Sequence, residues 1–197
     1  MKIKICGLTR KEDIAIVNKY KPDYIGFVFA RSKRQVELST AKELKGLLHK
    51  SIKTVGVFVD ADLRLAIQIA NEGILDLIQL HGAETEAYIR ELKKQTNIGI
   101  IKAVRADELE DTRIDTAADY ILLDSGAGSG KVFDWNRTII CNKPLFLAGG
   151  LDAENVSEAI RKVKPFAVDV SSGVETDCKK DSEKIRKFIE ESRRIYE

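Results

Sequence analysis

Cysteine is scarce in this 197-residue sequence: Cys6, Cys141 and Cys178 are far apart and odd in number. They make neither a disulfide framework nor a C-x-x-C metal pair, so they read as free thiols of a reducing compartment. An excess of one charge sign is missing too. Lys and Arg total 33 against 31 Asp and Glu, a formal charge of +2 with both signs interspersed, and no basic block suggests a nucleic-acid or membrane partner. Apolar runs fall far short of the roughly 20 residues that span a bilayer. The N-terminus has no charged-then-apolar leader with a small-residue cleavage site, so a cytoplasmic location is expected. Linkers, low-complexity tracts and composition breaks are also lacking, and residues 1–197 are expected to fold as one domain with a sizeable core.

What is present is an alternation of two patterns. β-Branched runs recur along the chain: KIKIC at 2–6, DYIGFVF at 23–29, TVGVFV at 54–59, LDLIQL at 75–80, GIIKAV at 99–104, DYILLD at 119–124, PLFLA at 144–148 and FAVDV at 166–170. Between them lie the helical patterns TRKEDIAIVNKY, STAKELKGLLHK, DADLRLAIQIANEG, TEAYIRELKK, DAENVSEAIRKV and DSEKIRKFIEESRRI. Each opens on Thr, Ser or Asp, which are expected caps; the stretches after the fifth and sixth strands are weaker helix signals. Eight strand–helix units predict an α/β fold, a single-domain (β/α)8 TIM barrel, with an open doubly wound sheet as the alternative topology. At about 25 residues per unit the barrel is compact, with short loops, against ~250 residues for the usual fold.

Chemistry in such a barrel sits where strands end at their C-terminal side. Strand one ends in Cys6-Gly7, strand two leads into ARSKR, strand four into His81-Gly82, and strand six into Asp124-Ser125-Gly126. Strand seven leads into Gly149-Gly150, and strand eight through Asp169 into Ser171-Ser172-Gly173. Glycines ahead of helices offer backbone amides to an anion, and the last two loops of a barrel are a frequent phosphate site, so a phosphorylated small molecule is expected; tight turns are the plainer alternative. GAGSGK at 126–131 is not a Walker loop, because only three residues separate Gly126 from Gly130 and Val132 follows Lys131.

Asp124 emerges from an apolar strand, where desolvation raises a carboxyl toward the range of a general acid, or it is a cap or a solvated carboxylate. Cys6 is a core thiol, or a thiolate favoured by a helix start or cationic neighbours. Of Arg31, Lys33 and Arg34, a guanidinium could clasp a carboxylate; solvated surface charge is the alternative. His81 could donate a hydrogen bond to a substrate, or fix the fourth loop.

Taken together, KICGLTR at 4–10, IGFVF with SKR at 25–34, VGVFV at 55–59, IQLHG at 78–82, LLDS at 122–125, GSGKVFDW at 128–135, LAGGLDAENV at 147–156 and FAVDVSSGVE at 166–175 resemble the phosphoribosylanthranilate isomerase family of tryptophan biosynthesis. The motifs follow the family order over essentially the whole chain. The resemblance implies an Amadori rearrangement of N-(5-phosphoribosyl)anthranilate to 1-(2-carboxyphenylamino)-1-deoxyribulose 5-phosphate, without metal or organic cofactor, by a monomer or homodimer. It implies Cys6 as general base and Asp124 as general acid. Arg34 would hold the anthranilate carboxylate, the amides around Gly149, Gly150, Ser172 and Gly173 the phosphate, and Asp169 a sugar hydroxyl. The sequence departs from the family pattern at Ala127, where a glycine is usual, and at Cys178, which occupies a region that commonly holds glycine. If position 178 needs positive φ, cysteine there costs about 1 kcal/mol or more. The rivals are a related sugar-phosphate isomerase using two aspartates, which the cysteine of strand one disfavours, and a noncatalytic phosphosugar-binding barrel.

Overall fold

A computed structural model describes residues 1–106, 113–124, 135 and 140–194. Eight parallel strands close into a barrel in chain order: β1 Lys2–Cys6, β2 Tyr24–Val28, β3 Lys53–Phe58, β4 Leu77–Leu80, β5 Gly99–Arg105, β6 Tyr120–Asp124, β7 Leu145–Ala148 and β8 Ala167–Val170. β1 pairs with both β2 and β8, Lys4 lying opposite Tyr24 on one side and Asp169 on the other. Closure excludes the open sheet. All eight strands lie within or overlap the expected runs.

The two-residue period of each strand decides which side chains reach which compartment. In β1, Ile3 and Ile5 join the apolar layer between strands and helices, while Lys4 and Cys6 point into the barrel. The lower interior is filled by Tyr24, Val55, Leu77, Ile101, Leu122, Phe146 and Ala167, a packed core below the cleft at the C-terminal strand ends.

Six helices lie outside the barrel among the described residues: α1 Lys11–Tyr20, α2 Leu38–Leu47, α3 Leu63–Asn71, α4 Glu86–Gln95, α5 Val156–Val163 and α6 Ser182–Arg193. Their buried residues recur at helical spacing, as with Ile185, Phe188 and Ile189 on α6, each contributing roughly 1.5–3 kcal/mol by leaving water. Thr85 and Asp181 cap α4 and α6 as expected, whereas α3 is capped by Asp62, two residues after the expected Asp60.

Three other starts differ from the expected ones. At α1 the amides of Thr9 and Arg10 donate to the Asp13 carboxylate at 3.0 and 3.1 Å, so the cap reaches back from inside the helix instead of coming from Thr9. Ser39 lies within α2: the Val36 amide bonds Val28 O at 2.9 Å, which holds the chain extended until Glu37, and Glu37 O accepts the Ala41 amide. Before α5, Asp152 Oδ1 accepts from the amides of Glu154 and Asn155, forming a turn that delays the helix to Val156. Residues 107–112, 125–134 and 136–139, which include Ala127, the GAGSGK stretch and most of the two weaker helix patterns, lie outside the described residues.

Candidate active site

The C-terminal strand ends surround a cleft of about 250 Å³ lined by Cys6, Arg34, His81, Asp124, Gly149, Gly150, Asp169, Ser172 and Gly173, among others. Every residue singled out from the sequence as catalytic or substrate-binding therefore meets in one place. Arg31 and Lys33 do not join them; both are exposed.

Cys6 ends β1 on the cleft floor, 8% exposed. Gly26 stands beside it on β2, and a Cβ built there would lie 2.6 Å from Sγ, so the thiol occupies space that only glycine leaves open. The expected helix start beside the thiol is not there. α1 begins only at Lys11, and the amides of Gly7 and Leu8 both donate to Gly26 O, at 2.9 and 3.1 Å, instead of facing sulfur. Burial pushes the Cys6 thiol up, against the expected direction; the main opposing influence is the Lys4 ammonium, while the Asp169 charge adds to the rise and Lys180 offsets part of it.

Lys4 was not anticipated as a site residue. It is 0% exposed, and its Nζ donates to Asp169 Oδ2 at 2.8 Å. Burial alone would lower its pKa, but Asp169 and Cys6 raise it above the ordinary lysine value. The signal was the alternation in KIKIC, which sets Lys4 on the same strand face as Cys6. Asp169 Oδ1 is buried without a hydrogen-bond partner among the described residues, and Asp169 lines the cleft. This acceptor is available to a ligand hydroxyl.

Across the floor, Asp124 ends β6 with Oδ2 3.2 Å from His81 Nε2, and His81 Nδ1 lies 2.7 Å from the Gln79 side-chain nitrogen. With Gln79 donating to Nδ1, the ring proton sits on Nε2 and points at the carboxylate. His81 thus has both ring nitrogens engaged and orients Asp124. Gln79, inside the apolar run LIQL, was also missed; a lone amide on an inward strand position was its only sequence signal.

At the rim, Arg34 forks onto Glu175, Nε to Oε1 at 2.8 Å and Nη2 to Oε2 at 2.7 Å, with Nη1 outside the fork. Lys180 donates to Glu175 Oε1 at 2.6 Å. Burial would raise the Glu175 carboxyl, but the bonds from Arg34 and Lys180 hold it below the ordinary range. Glu175, read from sequence only as part of SSGVE, therefore fixes the direction of Arg34.

Gly149 and Gly150, which also line the cleft, take φ of 90° and 63°, left-handed values that favour glycine. Ser172 and Gly173 open the short 3-10 turn Ser172–Val174, where amides have no intrahelical partner. The amides of Glu154 and Asn155, just ahead of α5, are taken up by Asp152 Oδ1. Beyond the 3-10 turn a tight hairpin joins Glu175–Thr176 to Lys179–Lys180 through Asp177 and Cys178, at φ 50° and 59°. Position 178 does need positive φ, and its cysteine is exposed. Among the described residues, no group of three or more His, Cys, Asp or Glu side chains could hold a metal ion.

A closed parallel barrel with polar side chains converging at its C-terminal strand ends defines a (β/α)8-barrel enzyme. The N-(5'-phosphoribosyl)anthranilate (PRA) isomerase family model matches residues 3–191, and the chain belongs to that family. It is 48% identical over 204 residues to the N-(5'-phosphoribosyl)anthranilate isomerase of Thermoanaerobacter sp. (strain X514), covering 99% of each chain. Among solved structures it resembles TrpF from Jonesia denitrificans, with a TM-score of 0.88 and 30% identity over 100% of this chain and 98% of the other. It also resembles a phosphoribosyl anthranilate isomerase in complex with reduced 1-(o-carboxyphenylamino)-1-deoxyribulose 5-phosphate, with a TM-score of 0.79 and 34% identity over 98% of both chains.

Proposed function

We propose that the cleft isomerises N-(5'-phosphoribosyl)anthranilate to 1-(2-carboxyphenylamino)-1-deoxyribulose 5-phosphate, with Asp124 as general acid and Cys6 as general base. The enzyme is an isomerase of tryptophan biosynthesis, as its family membership implies; it works in the cytoplasm as a monomer or homodimer. Asp124 gives a proton to the ribose ring oxygen as the bond from that oxygen to C1 breaks, producing an iminium. The iminium acidifies the C–H at C2, and the Cys6 thiolate removes that proton. The resulting enaminol tautomerises, C1 gaining a proton and C2 becoming the ketone carbon. Carbon C1 is reduced and C2 oxidised within one molecule, so the scheme requires no external redox partner.

Arg34 receives the anthranilate carboxylate on its Nη1 edge, the amides of Gly149, Gly150, Ser172 and Gly173 hold the phosphate, and His81 steadies Asp124. The partnerless Oδ1 of Asp169 accepts a sugar hydroxyl. The observation that carries this reading is the meeting of Cys6 and Asp124 in one cleft that is also lined by Arg34 and by the glycine loops. Turnover is followed by loss of the anthranilate fluorescence of the substrate. Cys6→Ser and Asp124→Asn should each lower kcat by about 100-fold or more with little change in KM. Near-full activity in either variant removes that residue from its role, and absence of turnover by the folded wild-type protein defeats the reading.

A further inference from the structure

Lys4 has no part in the chemistry so far, yet its position is costly. An ammonium wholly removed from water needs compensation, and a buried ion pair is often no more stabilising than apolar side chains of the same volume. Packing alone gives no reason for lysine there. Its surroundings do. Strand parity puts Cys6 on the same face two residues toward the cleft, and cross-strand register sets Lys4 against Asp169, whose Oδ2 it binds at 2.8 Å. An ammonium has three donors, and Asp169 Oδ2 takes one of them.

Among the described residues, the charged groups facing Cys6 are Lys4 on its own strand, Asp169 on β8, Lys180 on the hairpin that follows β8, and Arg34 on the loop after β2. Lys180 and Arg34 are both bonded to the Glu175 carboxylate. Of these cations, Lys4, buried on the same face of β1 as Cys6, is the one not bonded to Glu175.

We propose that Lys4 is a positioning residue for the base: its buried ammonium is the counter-charge for the Cys6 thiolate, and Asp169 both fixes that ammonium and limits its pull. The proposal rests on Cys6 acting as the base. It assigns opposite effects to the two members of one ion pair, which a purely structural pair would not produce. Loss of the positive charge disfavours the thiolate; loss of the negative charge favours it.

The test is alkylation of Cys6 by iodoacetamide, in which the thiolate displaces iodide and forms a C–S bond, followed peptide by peptide by mass spectrometry so that Cys141 and Cys178 do not interfere. Wild type, Lys4→Gln and Asp169→Asn are compared across pH after circular dichroism and thermal melting have shown each to be folded. At neutral pH, Cys6 of Lys4→Gln should react about tenfold or more slowly than wild type, the two rates converging at high pH where the thiol is ionised in both. Cys6 of Asp169→Asn should react faster than wild type at neutral pH. In turnover, Lys4→Gln should lose kcat at neutral pH and regain part of it as pH rises, with KM little changed. Equal pH dependence in all three proteins overturns the proposal, as does a slowing of Lys4→Gln by the same factor at every pH. If Lys4→Gln does not fold, an unchanged or slower reaction in Asp169→Asn overturns it instead. Alkylation is read without turnover, so it is separable from the role of Cys6: activity retained by Cys6→Ser would defeat the base assignment while leaving these rates as measured.

Discussion

At the scale of single residues, two positions are governed by the space or the backbone left to them. Gly26 gives the Cys6 sulfur its room, and a methyl group there would stand 2.6 Å from Sγ. Gly26→Ala should lower kcat by about 100-fold through displacement of the thiol, beyond the 1–3 kcal/mol or so expected from overpacking; unchanged kcat with lowered stability would mean that the strand shifts and the thiol stays. Cys178 is strained differently, since φ of 59° brings its Cβ close to the backbone. Cys178→Gly relieves this, partly offset by a freer unfolded chain, and should stabilise the protein by about 0.5–1 kcal/mol, read as a higher urea midpoint. Cys178 could be suspected from the local sequence, because an Asp-Cys pair stands where a hairpin turn favours Asp-Gly. Gly26 could not, because its reason is a sulfur atom on another strand.

Between residues and the whole lie the elements, where caps and strand parity set position. Asp181 accepts from the amides of Glu183 and Lys184 at 2.9 and 3.1 Å and from Thr176 Oγ1 at 2.9 Å, tying the start of α6 to the hairpin that carries Glu175. Asp181→Ala should cost about 1 kcal/mol and lower Tm by about 2–4 °C, measurable by calorimetry. Caps whose partner is local, such as Thr85 and Asp181, are legible in sequence. The start of α2 is not, because Val36 is held by Val28 on a strand of the barrel. The outward isoleucines of KIKIC could be read from periodicity; the inward pair, Lys4 and Cys6, acquires meaning only once the sheet is closed and Asp169 is brought alongside.

For the molecule as a whole, buried and bridging carboxylates link stability to pH. Burial opposes ionisation of Asp76, Glu86 and Glu175, but bonds from Thr54, Thr116 and Arg34 respectively outweigh it, and Asp181 is held down chiefly by the Lys184 amide. Each folded carboxyl thus ionises below its unfolded value. The stability they confer is present above the unfolded carboxylate range and is lost as pH falls through the folded values. Tm should therefore hold near neutrality and fall below about pH 4, with Glu175→Gln showing a smaller loss on acidification; a flat acid limb in the wild type would contradict the linkage. The amino-acid sequence by itself determined the eight strands, their order and the glycine loops, because hydrophobic period and turn chemistry are local properties, and its family resemblance singled out Cys6 and Asp124 as the candidate base and acid. Only the tertiary structure decided which charges surround the thiol. Barrel closure joins β1 to β8 and places Lys4 against Asp169 across 165 positions of chain, whereas the amides adjacent to Cys6 in sequence, those of Gly7 and Leu8, donate to Gly26 O instead. Electrostatic environment depends on distance in space and on burial, and neither is written along the chain.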